Sequence, residues 1–470
     1  MEQIAKQSQQ SQWYAFFISI AAALGGFLFG FDSGVINGTI DGLTQAFGAD
    51  DIGSGFNVAS MLIGCAVGAL LAGRLSDLLG RKRLLMIAAV LFIVSAVGSG
   101  IANSSFEFVI YRLIGGLAVG GASIIAPAYI AEIAPVAIRG RLASMQQIAI
   151  ILGLFGAFIS NYLIALNAGG STAVWLADMQ AWRWMFLVEV APASLFFLVL
   201  LFIPESPRVL VALGRNQDAL AVLVKLVGEQ EAQAKLDAIV NDIASTATHK
   251  DQQGSWQELS TPTMRPLMVA GVGLAALQQL VGINVVFYYG AVLWQAVGFT
   301  EADALLINIL SGGLSILACA IAIAKIDSLG RKPLLLIGSV GMFVAMAVLV
   351  VVFANAEQSP SGALELGDMG IWALIAANVY VFFFNLSWGP VMWVMLGEMF
   401  PNKVRGKALS VSGLVQWFTN FMVTLSFPIL LAGIGLTITY GIYALFAFLS
   451  IFFVVRYIKE TRGIELEQMG

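Results

Sequence analysis

Twelve times along its 470 residues this chain runs apolar for about the 20 residues a helix needs to cross a bilayer. A backbone in hydrocarbon has no water to pair with, so such runs fold as helices that make their hydrogen bonds internally. The runs lie at about 13–39, 52–79, 83–101, 105–133, 141–166, 182–203, 265–296, 302–326, 332–354, 370–400, 405–431 and 434–457. Several exceed the minimum, which implies tilt or extension beyond the bilayer. Composition agrees: 59% of residues are hydrophobic and 11% charged, against roughly 25% charged in soluble domains. The first residues, MEQIAKQSQQSQWY, lack the basic start and small-residue cleavage site of a signal peptide, so the first run is expected to remain a membrane helix. Cys65 and Cys319 sit in apolar runs of opposite halves and read as free packing thiols.

The distribution of charge orients the chain, and the net charge of -4 does not. Of the 24 Lys and Arg, all but Arg112 and Arg183 fall in the N-terminal tail, the even-numbered loops and the C-terminal tail or at the helix ends that border them. The opposite loops carry acids such as Asp41, Asp50, Asp51, Glu301, Asp303, Glu357, Glu365 and Asp368. The positive-inside rule then places both termini in the cytoplasm, which requires an even number of helices.

Three charged phrases recur in the same order, set between the apolar runs. DLLGRKRLL at 77–85 returns as DSLGRKPLL at 327–335, and AEIAPVAIRGRLAS at 131–144 as GEMFPNKVRGKALS at 397–410. PESPR at 204–208 and KETRG at 459–463 close each half. This is a duplicated six-helix unit, the plan by which a transporter builds two halves around a central path. The fold expected is an all-α integral membrane protein of twelve transmembrane helices. They form two pseudo-symmetric six-helix bundles, 13–203 and 265–457, with a linker at 204–264 and a short cytoplasmic tail at 458–470. The linker segments ALAVLVKLVG and EQEAQAKLDAIVNDIA have helical periodicity with interleaved charges, which predicts two to four short cytoplasmic helices.

Asp32 lies inside the first run, in GGFLFGFDSGVING. A charge at the bilayer centre costs about 2.5–3.5 kcal/mol even on the lenient insertion scale, so it needs a reason. Arg112, at the start of helix 4, reads as the one other strongly charged residue deep in the first half. The two can pair, and protonating Asp32 would release Arg112, coupling a proton to a conformational step. A static buried ion pair is the alternative. The lone histidine, His249, falls in the linker and reads as a solvated loop residue. Amides and indoles cluster in the apolar runs as well: Gln146 and Gln147 on helix 5, and Gln278, Gln279 and Asn284 on helix 7. Trp388 and Trp393 flank Gly389-Pro390 on helix 10, and helix 11 carries Gln416, Trp417 and Asn420. Buried amides need partners, so such clusters point inward, to a ligand or to one another. Pro390 lacks an N–H and predicts a break in helix 10 that can hinge or simply kink.

The duplicated D-x-x-G-R-[RK] motif resembles the major facilitator superfamily. YRLIGGLAVGGAS at 111–123, PESPR, QQLVGINVVFYY at 278–289, WGPVMWVMLGEMFP at 388–401 and KETRG narrow the resemblance to its sugar porter branch. It looks most like the bacterial proton–monosaccharide symporters of the xylose, arabinose and galactose type, and the match runs from helix 1 to helix 12. A sugar offers hydroxyl edges and C–H faces, which suit amides and aromatic rings. By this resemblance Gln147, Gln278, Gln279, Asn284, Trp388, Gln416 and Trp417 fall on sugar-contacting positions, with Asn420 beside them on helix 11. Phe29, Tyr288 and Tyr289 would line or close the path. Asp32 with Arg112 would couple the proton. The resemblance also implies a cytoplasmic gate of Asp77, Arg81, Glu132, Arg139, Glu205 and Arg208, repeated as Asp327, Arg331, Glu398, Arg405 and Glu460. These residues would form inter-helix ion pairs that lock the two halves together while the site faces outward. Ser315 stands where many relatives carry Asn, and Leu154 where some carry Gln, so substrate identity does not transfer.

The function expected is import of a hexose or pentose with a proton by alternating access, across the plasma (bacterial inner) membrane, by a monomer. A facilitative uniporter is the near alternative. A sugar sensor of this fold is the distant one, because the chain ends shortly after helix 12. An enzyme is not expected: a single histidine excludes multi-His metal sites, and neither GxSxG nor a Walker A motif occurs. The partners implied are a monosaccharide, a proton and the lipid bilayer, with no cofactor, metal or nucleic acid.

Overall fold

The computed structural model describes residues 2–134, 139–248, 256–358, 364–401 and 404–462; His249 lies outside them. The membrane helices are labelled in chain order. In the first half α1 is Glu2–Val35, α2 Asp51–Leu79, α3 Arg81–Ile101, α4 Ser105–Ile133, α5 Arg139–Ala168, and α6 Ala181–Leu187 continued by Val190–Phe202. In the second half α7 is Arg265–Leu280 continued by Ile283–Ala296, α8 Glu301–Leu329, α9 Arg331–Ala354, and α10 Gly370–Leu386 continued by Trp388–Met399.

Among the described residues eleven helical stretches are long and apolar enough to span a membrane. The last of them, Arg405–Tyr457, has 53 residues. Straight, it would reach about 80 Å, far more than a bilayer's thickness. Gly435 interrupts it at φ 78°, a backbone that glycine tolerates. Both ends of the stretch return to one face: Arg405 Nε donates to Phe400 O, while Glu460, just past Tyr457, accepts from Arg331 N. Arg331 also pairs with Glu398 on α10. The chain therefore reverses at Gly435, and its arms, 405–434 and 436–457, are α11 and α12. The twelve expected helices are present, six in each half.

The linker forms three short helices, Pro207–Ala212, Asn216–Val227 and Glu229–Thr248, around a small apolar core of Leu210, Ala219, Leu223 and Leu236. Turns bearing the duplicated GRK motif lie at one end of the bundle, called the basic face; the loops bearing Asp41, Asp50 and Glu301 lie at the other, the acidic face. Three of the helices starting at the acidic face, α2, α4 and α8, carry their own caps. Asp50, Ser104 and Thr300 accept from the backbone N–H of Gly53, Glu107 and Asp303, three residues on in each case.

Tight packing inside a half rests on small residues, as it does where helices have no hydrophobic force to join them. A Cβ on Gly30 of α1 would stand 1.8 Å from Ile150 O of α5, and one on Gly153 of α5 would stand 1.9 Å from Phe27 O. The two backbones touch directly.

The hydrogen bonds that join the halves among the described residues lie toward the acidic face. Gln295 Nε2 on α7 donates to Asp41 Oδ2 (2.8 Å), Ser171 N after α5 donates to Glu301 Oε1 (2.8 Å), and Asn37 at the end of α1 meets α7 and α8. Outside this clasp a vestibule of about 510 Å³ is lined by Asp41, Asp50, Glu301, Tyr289 and Phe427. The acidic side of the central path is closed.

Gly30→Ala should lower stability by about 1–3 kcal/mol or more through overpacking, read as a fall in the thermal midpoint of purified protein. Gly121→Ala, where no atom lies within 4 Å of the new Cβ, should leave the midpoint unchanged; an equal fall in both would refute the close-contact account.

Candidate functional site

Two helices of the second half break beside the central path, and the candidate site is built on these breaks. In α7 the break falls at Val281 and at Gly282, whose φ is 86°. The orphaned carbonyl of Val281 accepts from Tyr380 Oη of α10 at 2.7 Å. Gly282 lies against the ring of Tyr443, 2.7 Å from where a Cβ would stand. This break carries an amide ladder: Asn284 Nδ2 donates to Gln279 Oε1 (2.5 Å), and Gln279 Nε2 donates to Gln278 Oε1 (3.1 Å). Gln416 Nε2 of α11 reaches the same Gln278 oxygen at 3.5 Å, and Gln416 Oε1 is buried without a partner.

In α10 the break falls at Ser387, with φ -135° and ψ -86°, just ahead of the expected Gly389-Pro390. The reason is Pro390. Lacking an N–H, it is accommodated in the first turn of a helix, where no donor is required. Gln278 Nε2 donates across to the carbonyl of Trp388 (3.1 Å), tying the two breaks together. The Trp388 side chain is fully buried, and its Nε1 is committed to Leu335 O and Ser339 Oγ of α9. It offers the site its backbone carbonyl, while Trp393, one turn on, is 40% exposed.

The first half meets this ladder through Phe29 on α1, whose ring lies 5.9 Å from that of Trp417 on α11. Gln147 is half-buried on α5; its neighbour Gln146 is buried with both side-chain polar atoms unpartnered. Asn420 Oδ1 accepts from Thr424 Oγ1 at 3.2 Å. The hydroxyl of Tyr288 faces Asn420 and Ser33, between the ladder and the ion pair described next. Tyr289 is anchored to α11 through Thr424 O at 3.0 Å and packs on Phe427.

Asp32 and Arg112 form a buried ion pair, each 1% exposed. Arg112 Nη2 also contacts Met61 Sδ at 2.7 Å, and the guanidinium lies 5.7 Å from the centre of the Phe186 ring. Arg112 Nε and Asp32 Oδ2 are buried without partners. A Cβ on Gly115 would stand 3.3 Å from that free oxygen, so glycine keeps its surroundings open. The sequence reading of Arg112 as the one other deep charge needs correction. Glu189, at the break of α6, is 2% exposed and feels both Asp32 and Arg112 electrostatically. One guanidinium neutralises one carboxylate. In a dry interior the trio reaches neutrality only with a proton on one of the two acids. The signal was a lone acid in the apolar run FLVEVAPASLF. A small cavity of about 10 Å³, room for about one water molecule, touches Ser33, Arg112 and Tyr288 and bridges the pair toward α7.

The charged phrases at the basic face fold into two matching knots. Arg81 pairs with Asp77 (2.9 Å) and Glu132 (3.1 Å), and Arg331 pairs with Asp327 (3.0 Å) and Glu398 (2.8 Å). Glu205 accepts from the backbone N–H of Arg81 (3.0 Å) and Lys82, and Glu460 accepts from those of Arg331 (3.0 Å) and Lys332. Each carboxylate caps a helix that begins with no side-chain cap of its own. Gly80 and Gly330, at φ 91° and 94°, admit it: a Cβ would stand 2.4 and 2.6 Å from the two carboxylates. Burial alone would raise the pKa of Glu460, but the surrounding N–H groups hold it below the ordinary value. Arg208, on the first linker helix, pairs with Asp242 on the third (2.7 Å). Arg405 donates to Phe400 O and has a buried, unpartnered Nη2. The side chain of Arg139 lies outside the described residues. Among them, the ion pairs of this set stay within their own half or reach the linker.

The family profile described as "Sugar (and other) transporter" matches residues 18–470. The chain is 47% identical over 466 residues to a glucose transport protein of Synechocystis sp., covering 98% of each. It is 38% identical over 500 residues to the D-xylose-proton symporter of Escherichia coli, covering 98% of this chain and 96% of the relative. The inward open conformation of the xylose transporter XylE from E. coli superposes with a TM-score of 0.81 at 37% identity, over 97% of this chain and 99% of that one. XylE bound to 6-bromo-6-deoxy-D-glucose superposes with a TM-score of 0.78 at 38% identity, over 97% and 98%.

Gln278→Ala removes the amide to which Gln279, Gln416 and the Trp388 carbonyl all bind. It should weaken monosaccharide binding by about 10–100-fold. Trp388→Phe, which keeps the carbonyl, should cost less than Gln278→Ala. Titration with glucose and xylose, followed by intrinsic fluorescence, checks both; wild-type affinity in Gln278→Ala would contradict the ladder's role.

Proposed function

The chain belongs to the sugar transporter family, and on that premise we propose that it carries a monosaccharide together with a proton across the membrane by alternating access. The observation that carries this reading is the pairing of two buried sites, one per half. The second half presents a ladder of amides that suits sugar hydroxyls, and the first half presents one cation facing two carboxylates. A glucose transport protein and a xylose–proton symporter among the relatives support a hexose or pentose as substrate.

In the mechanism proposed here, sugar docks against Gln278, Gln279, Asn284 and Gln416, with Phe29 and Trp417 enclosing it from opposite halves and Gln147 reaching in from α5. A proton arriving at Asp32 neutralises it and frees Arg112, which can then face Glu189. Tyr288, set between the ladder and the pair, would sense both. The halves rock about this centre. Basic-face ion pairs that now close within each half would exchange for contacts across the halves when the acidic face opens. By the positive-inside rule the basic face and both termini lie in the cytoplasm and the location is the bacterial inner membrane, so the clasped acidic face makes the structure a state shut toward the outside. One chain supplies both sites, so a monomer suffices. One charge moved across 100 mV gains about 2.3 kcal/mol, enough for a roughly 50-fold sugar gradient.

Proteoliposomes with an imposed pH gradient test this reading. Wild type should accumulate glucose or xylose above equilibrium, and Asp32→Asn should lose accumulation while retaining exchange of the same sugar. Uptake that merely equilibrates and ignores the gradient would make the protein a uniporter.

A further inference from the structure

We propose that Asn37 is a positioning residue that latches the acidic face shut by splicing its carboxamide into the backbone of α7. The residue sits on a 3-10 turn, Ile36–Gly38, where α1 ends, and is 1% exposed. Asn161 of α5 holds that end in place: its Nδ2 donates to the carbonyls of Val35 (3.0 Å) and Gly34 (3.3 Å). From there the Asn37 side chain crosses to the other half. Its Nδ2 donates to Phe287 O (2.7 Å), and its Oδ1 accepts from Ala291 N (3.1 Å). Phe287 and Ala291 are four apart, the carbonyl and amide that a regular helix joins to each other. The carboxamide therefore bridges a rung of the α7 ladder with a matched donor and acceptor. Asn308 Nδ2 on α8 donates to the same Oδ1 (2.8 Å), so α7 and α8 both converge on one side chain.

Gly290 makes the docking possible. A Cβ there would stand 2.9 Å from Asn37 Nδ2 and 2.4 Å from Asn308 Oδ1. The steric demand and the hydrogen bonds single out the same spot by independent routes.

This geometry gives a latch that both holds and releases. When α7 moves away, Ala291 N–H and Phe287 C=O can join each other directly, and the two asparagines meet water in the vestibule. No backbone group is orphaned in either state, so opening exchanges hydrogen bonds without destroying them. The latch also follows Asp32 by five residues, on the turn that ends α1. Movement of α1 during proton exchange thus reaches the outer clasp directly.

The inference rests on the alternating-access reading, but its test needs no sugar. Val58 is 4% exposed and lines the small cavity between the halves, beneath the latch. Val58→Cys is a reporter for a membrane-impermeant maleimide added on the acidic side, with Cys65 and Cys319 buried and silent. Asn37→Ala removes the splice, and Gly290→Ala excludes it. Each should raise the labelling rate by about 5–10-fold, as expected for the loss of a buried hydrogen-bonded contact. The double variant should label no faster than either single one, because both act on the same contact. Asn37→Asp can accept from Ala291 N–H but gives nothing to Phe287 O, and should also raise labelling. Thermal midpoints of the singles within a few degrees of wild type separate a released latch from a damaged fold. Unchanged labelling in folded Asn37→Ala, or additive effects in the double variant, would overturn the latch. Failure to transport any sugar would overturn the substrate reading and leave the latch standing.

Discussion

Hydrocarbon offers a backbone no hydrogen-bond partner, and the working parts of this protein follow from how it meets that constraint. Unbroken helices need nothing, and most of the membrane helices are unbroken. The clear exceptions among the described residues, in α7 and α10, sit beside the central path. At the α7 break the Tyr380 hydroxyl satisfies the carbonyl left open at Val281, and just past the α10 break Gln278 donates to the Trp388 carbonyl. A break in a membrane helix is tolerated only where protein or cavity covers it, so the breaks mark where function lies.

The duplication sets the frame and divergence within it sets the roles. At the basic face the halves remain near copies, down to a glutamate after the sixth helix of each that caps the third. In the interior they have parted. The first half concentrates charge in Asp32, Arg112 and Glu189, and the second concentrates neutral amides in Gln278, Gln279, Asn284 and Gln416. The two chemistries suit different cargoes, and Phe29 against Trp417 is where they meet. Tight glycine contacts such as Gly30 on Ile150 make each half stiff enough to move as a body, leaving conformational freedom to the surfaces between them.

Much of this was legible in the sequence because the bilayer filters what a chain can contain. Helix length, the duplicated phrases and the cost of Asp32 are signals that no packing detail can override. Where sequence reasoning fell short, the missing information was three-dimensional. Glu189 is a single acid in an apolar run, and only its placement at a helix break beside Arg112 distinguishes it. Trp388 and Trp393 are equivalent in sequence, yet one turns its N–H to α9 and is fully covered while the other is 40% exposed. Arg208 lies within a duplicated phrase but pairs with the linker, because the helix Glu229–Thr248 brings Asp242 to it. The reach of Asn37 into α7 has no local signature, since its partners are backbone groups some 250 residues away.

The central claim is that sugar and proton move together through two buried sites, one in each half. The direct measurement is the pH of a weakly buffered suspension of proteoliposomes after sugar is added outside, with no gradient imposed. Coupled entry predicts that glucose or xylose alkalinises the medium, and that a protonophore abolishes the signal. Sugar uptake at full rate with no change in external pH would contradict the account and leave a carrier of sugar alone.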